Sequence, residues 1–569
     1  MNDRLFVIAI GGTGMRCLEA FVHLCAIGMF DNEEINILTL DTDQSNGNKG
    51  RVERLIELYN KVKTERLIEP YNKVKTDNPA TPGGSPNANT YFSAKLNLYR
   101  FYTDYSKASR SSYAKISATQ GLQREVENDD RDLADLFLDH DTVQSFNLDH
   151  GYRAQTHLGS MLMYHGIIEA ARHYIEDKER ATEPEKQLAA FLTELQQSGA
   201  GARVFVFGSV FGGTGASSIP VVPEALKEAV SLISQNTIDF NNVKFGATLL
   251  TEYFSFNSPS DAQRRQEKLV ATSDYFAINS QAALQFYQQD RTVKDRYKRL
   301  YHVGWPAQEF NVSEGASQTI TGGAEQKNAC HVVELMCACA AYDFFGLDDA
   351  ALQNATAQYL YRSVELDDNK NLTFKGTDFV SARNADEFLQ KMGSFLVLAH
   401  IILSMHGGAL PRVGMSKDKL GTRGFISWLS EFKITDYNEL KPEQTEDIDK
   451  YMKEFAYNTN AGALVRGWIY QVYNSVRAVG ASKFLFAPKI FEENINALAA
   501  MDPCKEIQEE KKTGLIIKTD SRTKYDDFVK NLANSRPNNE EQSVSTMKER
   551  FLAHMYRAIN ATIPFSTKL

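Results

Sequence analysis

Short apolar runs alternate with helical patterns along the first half of the chain. Leu5–Ile10 is a continuous apolar run that ends on Gly11-Gly12-Thr13-Gly14. Met15–Met29 then carries Leu18, Phe21, Val22 and Cys25 at helical spacing, and Ile35–Leu40 is a second β-type run that stops at Asp41-Thr42-Asp43. A strand, helix and strand in this compass predict a parallel pair with a right-handed crossover. The pattern resumes near Gly151. It predicts a helix from about Leu158 to Glu179, a strand over Arg203–Val210, a Gly-rich turn at Gly212–Gly215, a helix from about Ile219 to Ile233 and a strand over Lys244–Leu250. A helix around Asp261–Thr272 follows, and Ala324–Phe345 reads as a long apolar helix. Strands alternating with helices predict an α/β fold on a parallel, Rossmann-like sheet.

Residues 48–145 break the pattern. Glu53–Thr64 is repeated almost unchanged as Glu65–Thr76, a local duplication too short for a solenoid. Asp77–Asn89 reads as a loop, and Tyr91–Tyr113 mixes tyrosines with Lys and Arg, which we read as a helix face with solvated charges. Asp129–Asp141 carries Leu133, Leu136 and Phe137 at helical spacing. The segment 48–145 is therefore expected to be a mostly helical insertion between residues 1–47 and 146–345 of one domain. Residues 346–384 form the region after the long helix. Residues 385–569 show helical stretches at Glu387–Met405, Thr445–Phe455, Val465–Val479 and Val544–Ile563, and strand-like runs at Lys483–Phe486 and Gly514–Lys518. They are expected to form a C-terminal domain of mixed α+β type.

Composition narrows the function. The chain has 569 residues and a formal net charge of −9, which argues against general nucleic-acid binding. No apolar run approaches the ~18–20 residues of a membrane span, and Leu5–Ile10 is shorter than the roughly 7–15 residues of a signal peptide's apolar region. Six cysteines make no disulfide framework, and Cys337 and Cys339, a lone C-x-C in an apolar helix, read as buried thiols. The expected location is the cytoplasm.

The candidate chemistry lies in the two Gly-rich turns, Ile10–Met15 (IGGTGM) and Phe211–Ser218 (FGGTGASS), each after a strand and before a helix. Glycine lets the backbone approach a phosphate without a Cβ clash. The helix N-terminus behind it offers free N–H groups and a partial positive charge. On one parallel sheet both turns lie at the carboxyl edge, where ligands bind. With Asp41-Thr42-Asp43 ending the strand between them, they predict a nucleotide pocket whose carboxylates hold Mg²⁺ directly or through water. No P-loop is present, and Cys17 stands where a dinucleotide-binding motif ends on Gly.

These residues resemble the tubulin/FtsZ superfamily, and within it the large, divergent prokaryotic tubulin-like proteins. Phe211–Ser217 is similar to the signature G-G-G-T-G-[ST]-G, departing at Phe211, Ala216 and Ser217. Gly11–Gly14 resembles the family's first glycine loop, and Leu40–Asp43 its acidic turn. Gly151–Ala154 looks like the loop before a long helix, and Gly322–Asn328 like the opening of the central helix. The resemblance covers roughly residues 1–50 and 150–350.

It implies a tubulin-like GTPase domain holding GTP or GDP with Mg²⁺. Gly11, Gly12, Thr13, Gly14, Gly212, Gly213, Thr214, Gly215, Ala216 and Ser217 would contact phosphates. Asp41 and Asp43 would face the phosphate, with Asp43 toward the metal. Glu252 would touch the ribose, and Asn328, as the base-reading amide, would pair with guanine. In the family, acidic residues after the central helix complete the neighbouring subunit's site in the motif N-x-D-x-x-[DE]. Here Phe345–Ala350 lacks that Asn and changes the spacing, which leaves Asp348 and Asp349 as the candidate catalytic pair. The resemblance thus implies head-to-tail self-association into filaments. The alternative is a slow or inactive nucleotide-binding scaffold that uses the 48–145 insertion to bind a protein partner.

Overall fold

The apolar runs pair into one sheet. In a computed structural model, β1 (Arg4–Ile10), β2 (Glu34–Asp41), β3 (Lys95–Tyr102), β4 (Ala202–Phe207), β5 (Lys244–Leu250), β6 (Tyr297–Val303) and β7 (Gln358–Tyr361) lie in the order β3-β2-β1-β4-β5-β6-β7. Every neighbouring pair is parallel. The structure describes residues 4–31, 33–43, 45–64, 91–102, 156–234, 240–258, 272–305, 323–324, 326, 328–354, 356–362, 364, 372–405, 446–460, 463–481, 483–485 and 559.

Both faces of the sheet's centre are covered, which is why β1, β2, β4 and β5 are nearly continuous in buried residues. On β1, Leu5, Val7 and Ala9 point to one face, and Phe6, Ile8 and Ile10 to the other. The first face packs α1 (Gly11–Ala26), α2 (Gly47–Thr64) and, further along the chain, α8 (Val332–Phe345). The second packs α3 (Thr156–Glu176), α4 (Glu183–Ser198) and α6 (Val222–Ile233). A short helix, α5 (Gly213–Ser218), follows the second glycine turn, and α7 (Phe276–Gln289) precedes β6.

Several expectations change. Lys95–Tyr102 lies in a stretch read as a helix face, yet it is β3. Its sequence KLNLYRFY puts Leu96, Leu98 and Arg100 on one side and Lys95, Asn97, Tyr99 and Phe101 on the other, a period of two hidden among charges. Residues 47–64 and 95–102 therefore belong to the α/β layer rather than to an insertion. The central helix begins at Val332, not near Ala324. Residues before it are spent on a loop, and the His331 side chain caps the helix by accepting from Val333 N. The helix α4 was not foreseen, and the expected helix at Asp261–Thr272 falls almost wholly outside the described residues.

The described part of 385–485 forms no separate core. The helices α9 (Ala385–Met405), α10 (Glu446–Phe455) and α11 (Trp468–Ala478) join the cluster on the α1 face. His23 of α1 stacks on Trp468 at 4.5 Å, and Tyr451 packs edge-on against Phe92 at 4.8 Å. A hairpin, β9 (Tyr457–Asn460) with β10 (Ala463–Arg466), and a two-residue pairing of β8 (Thr373–Phe374) with β11 (Lys483–Phe484) complete this part. The expected strand Gly514–Lys518 lies outside the described residues, as does all but Ile559 of the expected helix Val544–Ile563. Among the described residues, no helix is long and apolar enough to cross a membrane.

Candidate functional site

The strand order 3-2-1-4-5-6 reverses direction between β1 and β4, and the crevice at such a reversal is where doubly wound sheets bind ligands. Both glycine turns open there. The helix α1 starts at Gly11, directly after β1, with no side-chain cap and no acidic residue in its first turn. Its first N–H groups and its positive dipole end are left for an anion. Gly11 adopts φ +66°, and a side chain there would meet Thr214 Cβ at 3.1 Å, so the two turns abut. A Cβ at Gly14 would lie 2.5 Å from Phe207 O, and one at Gly215 would lie 2.4 Å from Ser209 O. The sequence needs glycine at both for close packing under β4 as well as for any ligand.

Gly12, Thr13, Gly212, Gly213 and Thr214 are half-buried and line the opening, whereas Gly215, Ala216 and Ser217 are buried. The Ser217 hydroxyl donates to Thr214 O at 3.0 Å, so its proton is already used within the turn. Ala216 O accepts from Tyr287 OH of α7. Glu252, after β5, accepts from Ser280 Oγ.

The acidic turn after β2 splits its two carboxylates between different tasks. Asp43 spends both oxygens on the chain: Oδ1 accepts from Ser45 N and Oγ, and Oδ2 accepts from Gly323 N at 2.6 Å. It anchors the loop before α8. Asp41 Oδ1 accepts from Thr42 N at 2.8 Å and Asp43 N at 3.2 Å, while its buried Oδ2 and the Thr42 hydroxyl find no partner. Burial, opposed by the nearby Lys49 charge, pushes the Asp41 carboxyl up to about 7. Lys49 is 4% exposed, and its ammonium sits 5.0 Å over the Tyr102 ring with no carboxylate within ion-pair distance among the described residues. A buried carboxylate oxygen and a buried hydroxyl without partners thus lie near a buried ammonium, beside the glycine turns.

Amides close the far side. Asn48 Nδ2 donates to Asn328 Oδ1 at 3.2 Å and Asn48 Oδ1 accepts from Asn328 N at 3.3 Å. Asn46 Nδ2 donates to Gln326 Oε1 at 2.7 Å, and Gly47 N donates to Gly323 O at 2.9 Å. Asn328 therefore sits four residues before the central helix, clasped to the start of α2, rather than on the helix itself.

A buried ion network holds this loop to α1. Arg16 is 2% exposed and grips Glu334 with two bonds, Nε to Oε1 at 3.1 Å and Nη2 to Oε2 at 3.0 Å. Its Nη1 donates to Asn328 O at 2.6 Å. Tyr253 OH donates to Glu334 Oε1 at 2.8 Å, and Arg51 pairs with Glu19 at 2.7 Å. Burial pushes the neighbouring Cys330 thiol up to about 12 and keeps it protonated.

Asp348 and Asp349 lie at the other end of the sheet. Asp349 Oδ1 pairs with Lys244 Nζ at 2.8 Å and Arg203 Nη2 at 3.1 Å, residues at the amino-terminal ends of β5 and β4. The Lys244 hydrogen bond, more than the added charge of Arg203, holds its carboxyl below the usual carboxylate range. Asp348 is exposed just before the 3₁₀ turn Asp349–Leu352. The 14 residues of α8, at ~1.5 Å each, put this turn roughly 20 Å from the glycine turns. Within one chain the two sites cannot share a ligand.

The structure thus brings together the glycine turns, the acidic turn and Asn328, and leaves Asp348 and Asp349 apart from them. Sequence reasoning missed Lys49, Arg16, Asn46, Asn48 and Gln326. Arg16 and Glu19 had a signal, charges inside an otherwise apolar helical stretch; the amides had none until the chain was folded. Among the described residues no group of three His, Cys, Asp or Glu side chains could hold a metal ion. Cys337 and Cys339 are fully buried in α8. The fold and site define an α/β protein with a seven-stranded parallel sheet and a polar crevice at its switch point. No family model, curated protein or solved structure matches the chain.

Proposed function

We propose that the chain is a tubulin-like GTP-binding protein that self-associates head to tail and hydrolyses GTP at the junction between copies. The observation that carries this reading is the division of the sheet. Two abutting glycine turns and two buried oxygens without partners, Asp41 Oδ2 and Thr42 Oγ1, lie at one edge, and an acidic turn lies at the other, roughly 20 Å away. Stacked copies would bring the second edge of one against the first edge of the next. In this reading the N–H groups of Gly11–Gly14 and Gly212–Ser217 take the phosphates, Asn328 reads guanine, Glu252 holds the ribose, and Asp348 and Asp349 orient water on the neighbour's terminal phosphate.

The residues fit a Mg²⁺ ion shared with a triphosphate, but through Asp41 rather than Asp43. Asp41 Oδ2 and Thr42 Oγ1 are the acceptors left over, whereas Asp43 is committed to Ser45 and Gly323. When bound, the ion would neutralise phosphate charge, and one carboxylate suffices because Mg²⁺ keeps several waters. Hydrolysis measured against protein concentration tests the reading. A rate that rises faster than linearly above a threshold, with GTP and not ATP, supports it, and a linear or absent rate sinks assembly-coupled hydrolysis.

The double ion pair of Asp349 favours a second reading, a nucleotide-binding scaffold with slow turnover. A carboxylate held by Lys244 and Arg203 serves its own fold before it serves a neighbour. That reading gives partner binding to the segment 48–145, of which residues 65–90 and 103–145 lie outside the described residues.

A further inference from the structure

Two side-chain amides lie against the first glycine turn, and the fold uses only half of each. Asn46 precedes α2 and caps it. Its O accepts from Gly50 N at 3.0 Å, and its Oδ1 accepts from Asn48 N at 3.0 Å and Lys49 N at 3.3 Å. Those backbone donors fix which end of the amide is oxygen. The other end, Nδ2, is therefore turned toward Gly12, where a Cβ would meet it at 3.2 Å. Nδ2 carries two N–H groups, and the structure gives it one acceptor, Gln326 Oε1 at 2.7 Å. A cap needs only the oxygen, which serine or aspartate would supply as well.

Gln326 repeats the pattern. Backbone bonds already hold its loop, since Gln326 N donates to Gly323 O at 3.2 Å and Gly47 N donates to the same oxygen at 2.9 Å. Glycine at 47 lets this loop in, because a Cβ there would lie 2.5 Å from Ala324 O and 2.6 Å from Gln326 O. Gln326 Oε1, taken by Asn46, would stand 3.4 Å from a Gly12 Cβ. The residue is half-buried, and among the described residues its Nε2 meets no acceptor. Gly12 itself belongs to the first turn of α1, whose N–H groups have neither intrahelical partners nor a side-chain cap. An independent sign of a ligand lies beside these donors. Leu40 pairs with Ile10, so Asp41 stands level with Gly11, and the buried Asp41 Oδ2 and Thr42 hydroxyl have no partner.

We propose that Asn46 Nδ2 and Gln326 Nε2 donate to phosphate oxygens of the ligand seated on Gly11–Gly14, as a neutral clamp facing the N-terminus of α1. The inference rests on the crevice being a phosphate site and adds two contacts to it, whatever base the ligand carries. Hydrogen bonds to an ionised oxygen are the strong ones, and an amide gives them without the charge of a lysine. The bond between the two amides holds both donors in place before the ligand arrives, which lowers the cost of ordering them.

Isothermal calorimetry on the full-length chain with Mg²⁺ tests it, using inorganic tripolyphosphate, GTP, ATP and guanosine. The unmodified chain should bind tripolyphosphate and GTP. Asn46→Ser keeps an oxygen to cap α2 and removes the amide donor. It should weaken both ligands roughly tenfold, as expected for losing one hydrogen bond to a charged oxygen, and leave guanosine as it was. Gln326→Met, which leaves the cap untouched, should do the same, and it decides alone if Asn46→Ser fails to fold. Unchanged affinities for tripolyphosphate and GTP in the folded variants overturn the inference and leave the crevice reading standing. An equal loss for guanosine, which has no phosphate, also overturns it. Tripolyphosphate binding that both variants weaken, with GTP bound no better than ATP, supports the inference and ends the guanine reading. An unmodified chain that binds neither tripolyphosphate nor GTP overturns both.

Discussion

The two ends of the sheet are built on opposite terms. At the amino-terminal end, Asp349 is exposed, paired with two cations and needs nothing more. At the carboxyl end, Asp41 Oδ2 and Thr42 Oγ1 are buried and unmatched, near the buried Lys49 and an uncapped helix N-terminus. Satisfied exposed groups tolerate change, whereas a buried group without a partner costs free energy that some function must justify. The comparison teaches that a carboxylate's chemistry is set by what surrounds it. Asp41, Asp43 and Asp349 are the same residue type doing three different things.

The largest effect that would sharpen this contrast lies in the network behind the crevice. Glu334→Gln leaves the buried Arg16 with only the longer 3.5 Å contact to Glu19, which Arg51 shares, and should cost about 3–5 kcal/mol by denaturant unfolding. Asp349→Ala at the other end should cost no more than about 1 kcal/mol in the same assay, since Asp349 itself is exposed and the buried Arg203 keeps its bonds to Phe345 O and Leu347 O. Equal losses would break the comparison. Next in size is the packing of the glycine turns. Gly215→Ala drives a methyl toward Ser209 O and should destabilise by about 1–3 kcal/mol, with loss of anion binding.

Smaller effects come from titration. The Asp41 carboxyl is raised from an ordinary value of 3.8 to about 7, so the native state keeps a proton that the unfolded state has released. Its stabilising contribution is full below the unfolded value and is lost as pH rises through about 7. The cation-dependent nucleotide binding proposed above would have the opposite sense: it would require the anion and should weaken as pH falls below about 7, by up to roughly tenfold per unit. Both dependences should vanish in Asp41→Asn, as read by calorimetry across pH 5.5–8.5. Burial lowers His331 to about 3 and His400 to about 4. Their contribution is full above the unfolded histidine value of about 6.5 and falls as pH drops toward 4, so acid unfolding should set in early.

Much of the crevice was legible in sequence because it is local. A strand, a glycine turn and a helix are neighbours along the chain, and their chemistry follows from the turn. The strand β3 was obscured because its alternation is carried by Leu96 and Leu98 among Lys, Arg and Tyr, which also suit a helix face. The late start of α8 was hidden because Ala324–Cys330 (AEQKNAC) is rich in good helix formers, while the fold sets Gln326 against Asn46 and Asn328 against Asn48. The packing of Trp468 on His23 and of Tyr451 on Phe92 joins residues hundreds of positions apart, and no periodicity reports that. Lys49 and Arg16 gained meaning only once the fold set one over the Tyr102 ring near Asp41 and the other against Glu334.

The central claim is that one catalytic site needs two ends from two copies. The most direct measurement mixes two inactive chains, one carrying Asp348→Ala and Asp349→Ala with intact glycine turns, the other carrying Gly213→Asp with an intact acidic turn. The account predicts that each alone hydrolyses no GTP and that the mixture regains activity in proportion to the junctions that pair good ends. Full activity in the first chain alone, or none in the mixture while the unmodified chain is active, would contradict it.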